Sequence, residues 1–279
     1  MTFHEAIAVL RAAGIEEAET EARILFTELG GIPAYKLHTE DPCVNDPRLD
    51  DALLRRAHRE PLAYILGEVS FYRETYRVSP DVLIPRADTE ILVEHAIRLL
   101  PKNAFFFDFC TGSGCIAISV LAARPDCTAC AVDISEKALA LTLDNAKRNG
   151  VFDRLTVKKA DLLREKLDVS AAAAILSNPP YIAPNEKSAL APELAYEPQN
   201  ALFADENGLL FYRHLLSEYQ SDIKEGRFFL FEIGYTQREA LLSLASERHM
   251  LAEFFSDYGQ NTRVALCRSL VDTLRLSKA

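Results

Sequence analysis

The run Phe105-Phe106-Phe107-Asp108-Phe109, passing through Cys110-Thr111-Gly112-Ser113-Gly114 into the apolar stretch Cys115–Ala123, restricts the fold more than any other segment. It reads as a buried strand that turns tightly into a helix, with glycines where the backbone must bend or approach a ligand closely. From about residue 88 the same texture repeats. The sequence predicts strands at 104–109, 128–132, 155–159, 174–177, 227–232, 252–256 and 263–268. Helices are expected at 114–124, 135–148, 207–221 and 236–247, whereas 160–173 is too short and irregular to assign. Such alternation defines an α/β fold with a mostly parallel sheet covered on both faces. Ligands of these sheets collect at the carboxyl ends of strands, near the point where the strand order reverses.

The first 60 residues have a different pattern. Phe3, Ile7 and Leu10 share one helical face, and Ile24, Leu25 and Leu29 share another before Gly30-Gly31. Leu49, Leu53 and Leu54 repeat the spacing after Pro47. Residues 70–78 alternate aromatic and polar side chains, as a hairpin does. The expected division is therefore a helical domain at 1–69, a hairpin linker at 70–87 and an α/β domain at 88–279.

Charge and cysteines narrow the function classes. The net charge of −10 divides equally between residues 1–86 and the remainder, so neither part is a cationic platform for phosphates. No stable nucleic-acid binding is expected. The local exception, Arg55-Arg56-Ala57-His58-Arg59, reads mainly as a solvated helix face. Cys127 and Cys130 form a C-x-x-C on a strand, where residues three apart point to opposite faces, and no second pair completes a zinc site. No apolar run approaches the roughly 18 residues of a membrane span, and the N-terminus lacks a signal-peptide pattern. A cytoplasmic address with no membrane association is the expectation.

Two motifs carry chemistry. Gly112-Ser113-Gly114 opens a helix whose N-terminus favours electronegative groups, and Asp133 closes the next strand 19 residues after Gly114. That carboxylate is placed to accept hydrogen bonds from the ribose of an adenosine-containing cofactor. The loop alone fits both NAD and S-adenosylmethionine. Asp161 ends the third strand, where it could hold an adenine amino group beside Leu162 or simply cap a turn.

The second motif is Asn178-Pro179-Pro180-Tyr181, just after the fourth strand. It suits methylation of a planar, weakly nucleophilic nitrogen. Asn178 offers a carbonyl oxygen, the two prolines remove backbone donors and leave carbonyls, and Tyr181 adds an aromatic face. A plain Pro-Pro turn closed by a core tyrosine would use the same residues. Hydride transfer has no need of a double acceptor for amide hydrogens, so the quartet favours S-adenosylmethionine over NAD.

With these residues in view, the chain resembles the protein-(glutamine-N5) methyltransferases of peptide chain release factors. The likeness runs through Arg59-Glu60-Pro61-Leu62-Ala63-Tyr64-Ile65-Leu66-Gly67, Phe71-Tyr72, Val82-Leu83-Ile84-Pro85-Arg86, Thr89-Glu90 and Ser177-Asn178-Pro179-Pro180-Tyr181-Ile182. Tyr196-Glu197-Pro198, Ala201-Leu202-Phe203, Asp205, Gly208-Leu209, Asp257-Tyr258-Gly259 and Arg263 extend it. The resemblance implies a class I S-adenosylmethionine-dependent methyltransferase with a Rossmann-like, seven-stranded sheet and a small N-terminal helical domain. It implies cofactor contacts at Asp108, Cys110, Thr111, Gly112, Ser113, Gly114, Asp133, Asp161, Leu162 and Asn178, and substrate contacts at Asn178, Pro179, Pro180 and Tyr181. Asn178, Pro179 and Tyr181 would carry the catalysis. The implied partner is a class I release factor, methylated as a monomeric enzyme's substrate on its Gly-Gly-Gln glutamine in support of translation termination.

The chain departs from that family's pattern in two places. Cys110 stands where glycine is usual, so either cofactor affinity falls or Cys110 takes a glycine-like φ. Ala87-Asp88 replaces Pro-Glu. The competing reading is an adenine-N6 or cytosine-N4 methyltransferase acting on nucleic acid, followed by a non-catalytic nucleotide-binding module and, last, a dehydrogenase.

Overall fold

The computed structural model describes residues 1–224, 226–257 and 259–270. The chain divides into two compact units, Met1–Gly67 with Ala191–Tyr196, and Glu68–Leu190 with the chain from Glu197 onward.

The first unit holds helices α1 (Phe3–Ala12), α2 (Ala18–Glu28), α3 (Ala34–Glu40), α4 (Pro47–Ala57) and α5 (Leu62–Leu66). Thr2 starts α1 with a reciprocal cap: its hydroxyl accepts from Glu5 N–H at 3.3 Å, and the Glu5 carboxylate accepts from Thr2 N–H at 2.8 Å. Asp46 caps α4 at Arg48 N–H, with Pro47 at the first helical position, where no donor is lost. Phe3, Leu10, Leu25, Phe26, Leu37, Leu49 and Leu53 form the core. Three expected core positions differ, Leu29 among them, which is only partly buried against this core. Leu54 is 59% exposed, because Leu53 and Ala52 already fill that face of α4, and Ile24 is half-buried while Phe26 takes the interior place.

The basic cluster is not a solvated face. Arg56 is buried and paired with Glu21 and Glu193, the latter at 3.0 Å. Arg59 pairs with Glu193 at 2.8 Å, and Arg55 with Glu60 at 2.6 Å. Within this unit Arg56 and Arg59 therefore bind the returning segment 191–196, where Tyr196 also donates its hydroxyl to the His58 carbonyl.

The second unit opens with the hairpin β1 (Glu68–Phe71) and β2 (Glu74–Arg77), then α6 (Glu90–Leu99), β3 (Phe105–Phe109), α7 (Cys115–Ala123), β4 (Thr128–Asp133) and α8 (Glu136–Arg148). It continues through β5 (Leu155–Lys159), β6 (Ala174–Ser177), the short turns α9 (Gln199–Leu202) and α10 (Asp205–Gly208), and α11 (Leu210–Tyr219). β7 (Phe228–Glu232), α12 (Arg238–Ser246), β8 (Met250–Ser256) and β9 (Thr262–Ser269) complete it. Among the described residues the main sheet has seven strands in the order β5-β4-β3-β6-β7-β9-β8, parallel except for β9, which is antiparallel to both neighbours.

Alternation along β3 shows why its phenylalanines face both cores, Asp108 being the strand's one polar residue. Phe106 faces the core under α7, whereas Phe107 and Phe109 face the opposite core with Tyr212 and Tyr219. α7 is almost wholly apolar because its first two turns, Cys115–Leu121, are buried on every side. The hairpin packs into this same unit, with Tyr76 buried and its hydroxyl 2.6 Å from Ser119 Oγ. Cys127 and Cys130 are free and lie in different cores, as opposite faces require. No helix among the described residues is long and apolar enough to cross a membrane.

Candidate active site

Strand register gathers the motifs. Phe109 pairs with Val132 and with Ser177, and Ser177 pairs with Phe231. The next residues, Cys110, Asp133, Asn178 and Glu232, therefore stand at one level along adjacent carboxyl ends. The chain turns outward in opposite directions on either side of the β3–β6 pair, which is where a parallel sheet opens a crevice.

On the β3–β4 side, Asp133 accepts from Gly112 N–H and Ser135 N–H, both at 2.9 Å. Burial raises its pKa against these donors, and a carboxylate retains further lone pairs for a ligand's hydroxyls. Asp108 lies buried beneath the loop, where one oxygen takes the Thr111 hydroxyl at 2.6 Å and Ala117 N–H at 3.2 Å. Its other oxygen has no partner among the described residues, and burial pushes the group up to about 7. The loop is also fastened from α8: Thr142 donates to the Gly112 carbonyl at 3.0 Å and Asn145 to the Ser113 carbonyl at 2.9 Å. Gly114 must be glycine, since its φ is +83° and a Cβ would come within 2.8 Å of Thr142 and 2.9 Å of Ile118. Cys110 takes φ +61° and so adopts the glycine-like conformation that its position requires. Burial raises the pKa of its thiol, which stays protonated.

On the β6–β7 side, Asn178 Nδ2 donates to Thr89 Oγ1 at 3.4 Å, and Thr89 donates to Glu232 Oε2 at 2.5 Å. Tyr181 donates its hydroxyl to Glu232 Oε1 at 3.1 Å. The quartet's backbone is held by Gln237, which donates to the Tyr181 carbonyl at 2.9 Å, and by pairing of Ile182 with Phe203. Gly208 passes so close that a Cβ there would lie 2.0 Å from the Tyr181 carbonyl oxygen. Asp88 forms an ion pair with Arg263 at 3.0 Å, so the shorter acid at this position still reaches a cation. Buried Glu197 accepts from Ile84 N–H at 3.1 Å and binds Arg86, which joins the 82–86 and 197–205 segments.

A cavity of about 370 Å³ lies between the two sides, within the size range of small-molecule sites. Cys110, Gly112, Asp133, Asp161, Leu162, Asn178 and Pro180 line it. Asp108, Thr111, Ser113 and Gly114 lie in the loop's support, and Pro179 and Tyr181 are not among the described lining residues. Asp161 also caps its own turn, accepting from Leu163 N–H at 3.1 Å. Tyr258 lies outside the described residues.

The described lining contains four aspartates, Asp81, Asp133, Asp161 and Asp205, and no lysine, arginine or histidine. Lys137 and Arg164 partner Asp81 and Asp161, while Asp133 and Asp205 have no cation partner among the described residues. Such a field favours a cationic ligand and opposes the diphosphate of a dinucleotide. With Ile134, Leu162 and Leu163 as apolar walls and the unmet Asp108 oxygen nearby, the residues present fit an adenosine-bearing sulfonium.

Sequence reasoning missed Thr89, Thr142, Asn145 and Glu232. Thr142 and Asn145 were detectable as polar residues three apart on the inward face of α8, and Glu232 as an acid closing Phe228-Phe229-Leu230-Phe231.

The fold and cavity define a Rossmann-like methyltransferase, and residues 87–216 match the family described as Methyltransferase small domain. Residues 2–67 match the PrmC N-terminal domain. The chain is 39% identical over 247 residues to the release factor glutamine methyltransferase of Cereibacter sphaeroides, covering 86% of each. It is 34% identical to that of Salmonella typhimurium, over 95% of this chain and 97% of the relative. It belongs to the release factor glutamine methyltransferase family. Among solved structures, the hMettl16 catalytic domain in complex with MAT2A 3′UTR hairpin 1 superposes with TM-score 0.54 at 16% identity, covering 80% of this chain and 79% of that one, a likeness of fold alone.

Proposed function

We propose that this chain transfers the methyl group of S-adenosylmethionine to the side-chain nitrogen of the Gly-Gly-Gln glutamine in class I release factors, supporting translation termination. The observation that carries the reading is that Asn178 and Pro180 line the same acidic cavity as Asp133 and the 110–114 loop. Family membership supplies the substrate class, and the unpaired aspartates speak against both a dinucleotide cofactor and a polyphosphate-backbone substrate.

When bound, S-adenosylmethionine supplies an electrophilic methyl on a sulfonium. Asp133 would hold the ribose, Asp161 and Leu162 the adenine, and the Cys110-to-Gly114 loop the remainder of the ligand. Asn178 Oδ1 and the Pro179 carbonyl would each accept one hydrogen of the glutamine amide. That grip turns the lone-pair face of the nitrogen toward the methyl carbon, with Pro180 against the amide plane and Tyr181 fixing the loop. The nitrogen would take the methyl as the carbon–sulfur bond breaks, leaving the donor a neutral thioether, and would then lose one proton to water; an N-alkylated protonated amide is acidic enough to need no dedicated base. Alignment of this kind can supply up to about 7–11 kcal/mol of the barrier reduction. The helical unit would contribute to recognition of the protein substrate.

The test offers purified release factor, DNA and RNA side by side with cofactor carrying a labelled methyl. Label in the glutamine of the release factor is expected. Label in nucleic acid alone would overturn the assignment.

A further inference from the structure

The site contains a device that decides which end of the Asn178 carboxamide meets the substrate, an inference that rests on the glutamine-methyltransferase reading. Only Oδ1 can accept an amide hydrogen; Nδ2 donates and would oppose one. Which end faces where follows from the hydrogen-bond network around it. Glu232 is buried at the carboxyl end of β7, with Oε2 against the Thr89 hydroxyl and Oε1 against the Tyr181 hydroxyl. An ionised carboxylate only accepts, so each hydroxyl gives its one proton to Glu232. Thr89 Oγ1 then has only lone pairs to offer Asn178 and must receive Nδ2–H. Oδ1 is thereby turned away from Thr89, on a residue that lines the cavity.

We propose that Thr89 and Glu232 are positioning residues, forming a one-way hydroxyl relay that presents the Asn178 oxygen to the acceptor amide and so favours groups that bring N–H donors. Among the described residues neither Thr89 nor Glu232 hydrogen-bonds to the 110–114 loop that would bind the cofactor.

The relay depends on Glu232 being charged. Burial pushes Glu232 up to about 7; Thr89 and Tyr181 oppose the rise, Asp88 adds to it and Arg263 opposes it. Tyr212, whose hydroxyl donates to the Glu232 carbonyl, and the Cys115 thiol complete the titratable surroundings. A protonated Glu232 could donate to Thr89, which would free the threonine hydroxyl to donate to Asn178 and release the lock. Orientation is therefore held above the titration and lost below it.

The experiment measures kcat, KM for release factor and cofactor Kd for the full chain and for Thr89→Val, Thr89→Ser and Glu232→Gln, from about pH 6 to about pH 8.5. Thr89→Val should lower kcat by about tenfold or more, while KM and cofactor Kd stay within about threefold. Thr89→Ser should recover most of the loss. The kcat of the unaltered chain should rise with pH through the neutral range, and that limb should vanish in Glu232→Gln. Normal kcat in Thr89→Val, or equal impairment in Thr89→Ser, would overturn the relay. If Thr89→Val does not fold, the pH limb decides, and its persistence in Glu232→Gln overturns the proposal. Absence of turnover by the unaltered chain would overturn the functional reading and the relay together, whereas an active chain with an indifferent Thr89 overturns the relay alone.

Discussion

Half-buried Asp133 and buried Glu232 close parallel strands of one sheet, β4 and β7, on either side of the β3–β6 pair, and burial raises the pKa of each, yet they are held in different ways. Asp133 is held by backbone N–H groups of Gly112 and Ser135, both in the turns beside it. Glu232 is held by side chains 143 and 51 positions away, Thr89 and Tyr181. Backbone donors in short turns come with the strand–turn–helix unit and need no distant partner. A carboxylate held by remote hydroxyls exists only once the sheet is assembled, and its hydrogen bonds can change direction with protonation. One side of the cavity is thus suited to binding and the other to orienting a reacting group.

If the two sides are separable, substitutions should give opposite signatures. Asn178→Ala is expected to lower turnover by about three orders of magnitude, comparable to loss of a directly engaged catalytic hydrogen-bond partner, while cofactor Kd stays within about tenfold. Calorimetry and steady-state rates on release factor check both quantities. Asp133→Ala should do the reverse on a smaller scale, weakening cofactor binding by about tenfold to a hundredfold with saturated kcat changed by less than about threefold. Equal damage to saturated kcat by both variants would break the comparison, because binding and orientation would then be one network.

The same contrast explains what the sequence made readable. The cofactor side was visible because its parts are close in the chain: Asp108, the Gly112-to-Gly114 turn and Asp133 follow one another across two strands at a spacing set by a single strand–helix–strand unit. The quartet 178–181 was visible because adjacent prolines are rare punctuation after a strand. Thr89 and Glu232 were not visible as a pair, since nothing local in Ala87-Asp88-Thr89-Glu90 indicates that its threonine meets a strand end far along the chain. Leu54 shows the converse limit. Helical spacing placed it with Leu49 and Leu53, but the width of the buried stripe is set by the neighbouring helices, and Leu54 falls outside it. The basic cluster was misread for a related reason, since Glu21 and Glu193 reach Arg56 from 35 and 137 positions away.

Cys110 gives the smallest and most local test of the contrast. A left-handed conformation costs a non-glycine residue about 1–2 kcal/mol, so the first bend of the binding side carries strain that the orienting side does not share at Asn178. Its side chain offsets part of this by packing against the core that includes Phe107, Phe109 and Tyr212. Cys110→Ala would keep the strain and lose the thiol, whereas Cys110→Gly would lose both and gain freedom in the unfolded chain. The glycine variant should therefore be the more stable of the two by about 1 kcal/mol, a Tm difference of about 2–4 °C. The glycine variant itself should stay within about 1 kcal/mol of the unaltered chain, because relieved strain and lost packing oppose each other. Cofactor Kd should change by less than about threefold in the glycine variant, since Asp133, Thr142 and Asn145 hold the loop by contacts that Cys110 does not make. A large gain in affinity would instead mean that the thiol intrudes on the ligand, and that the binding side is less complete than its hydrogen bonds imply.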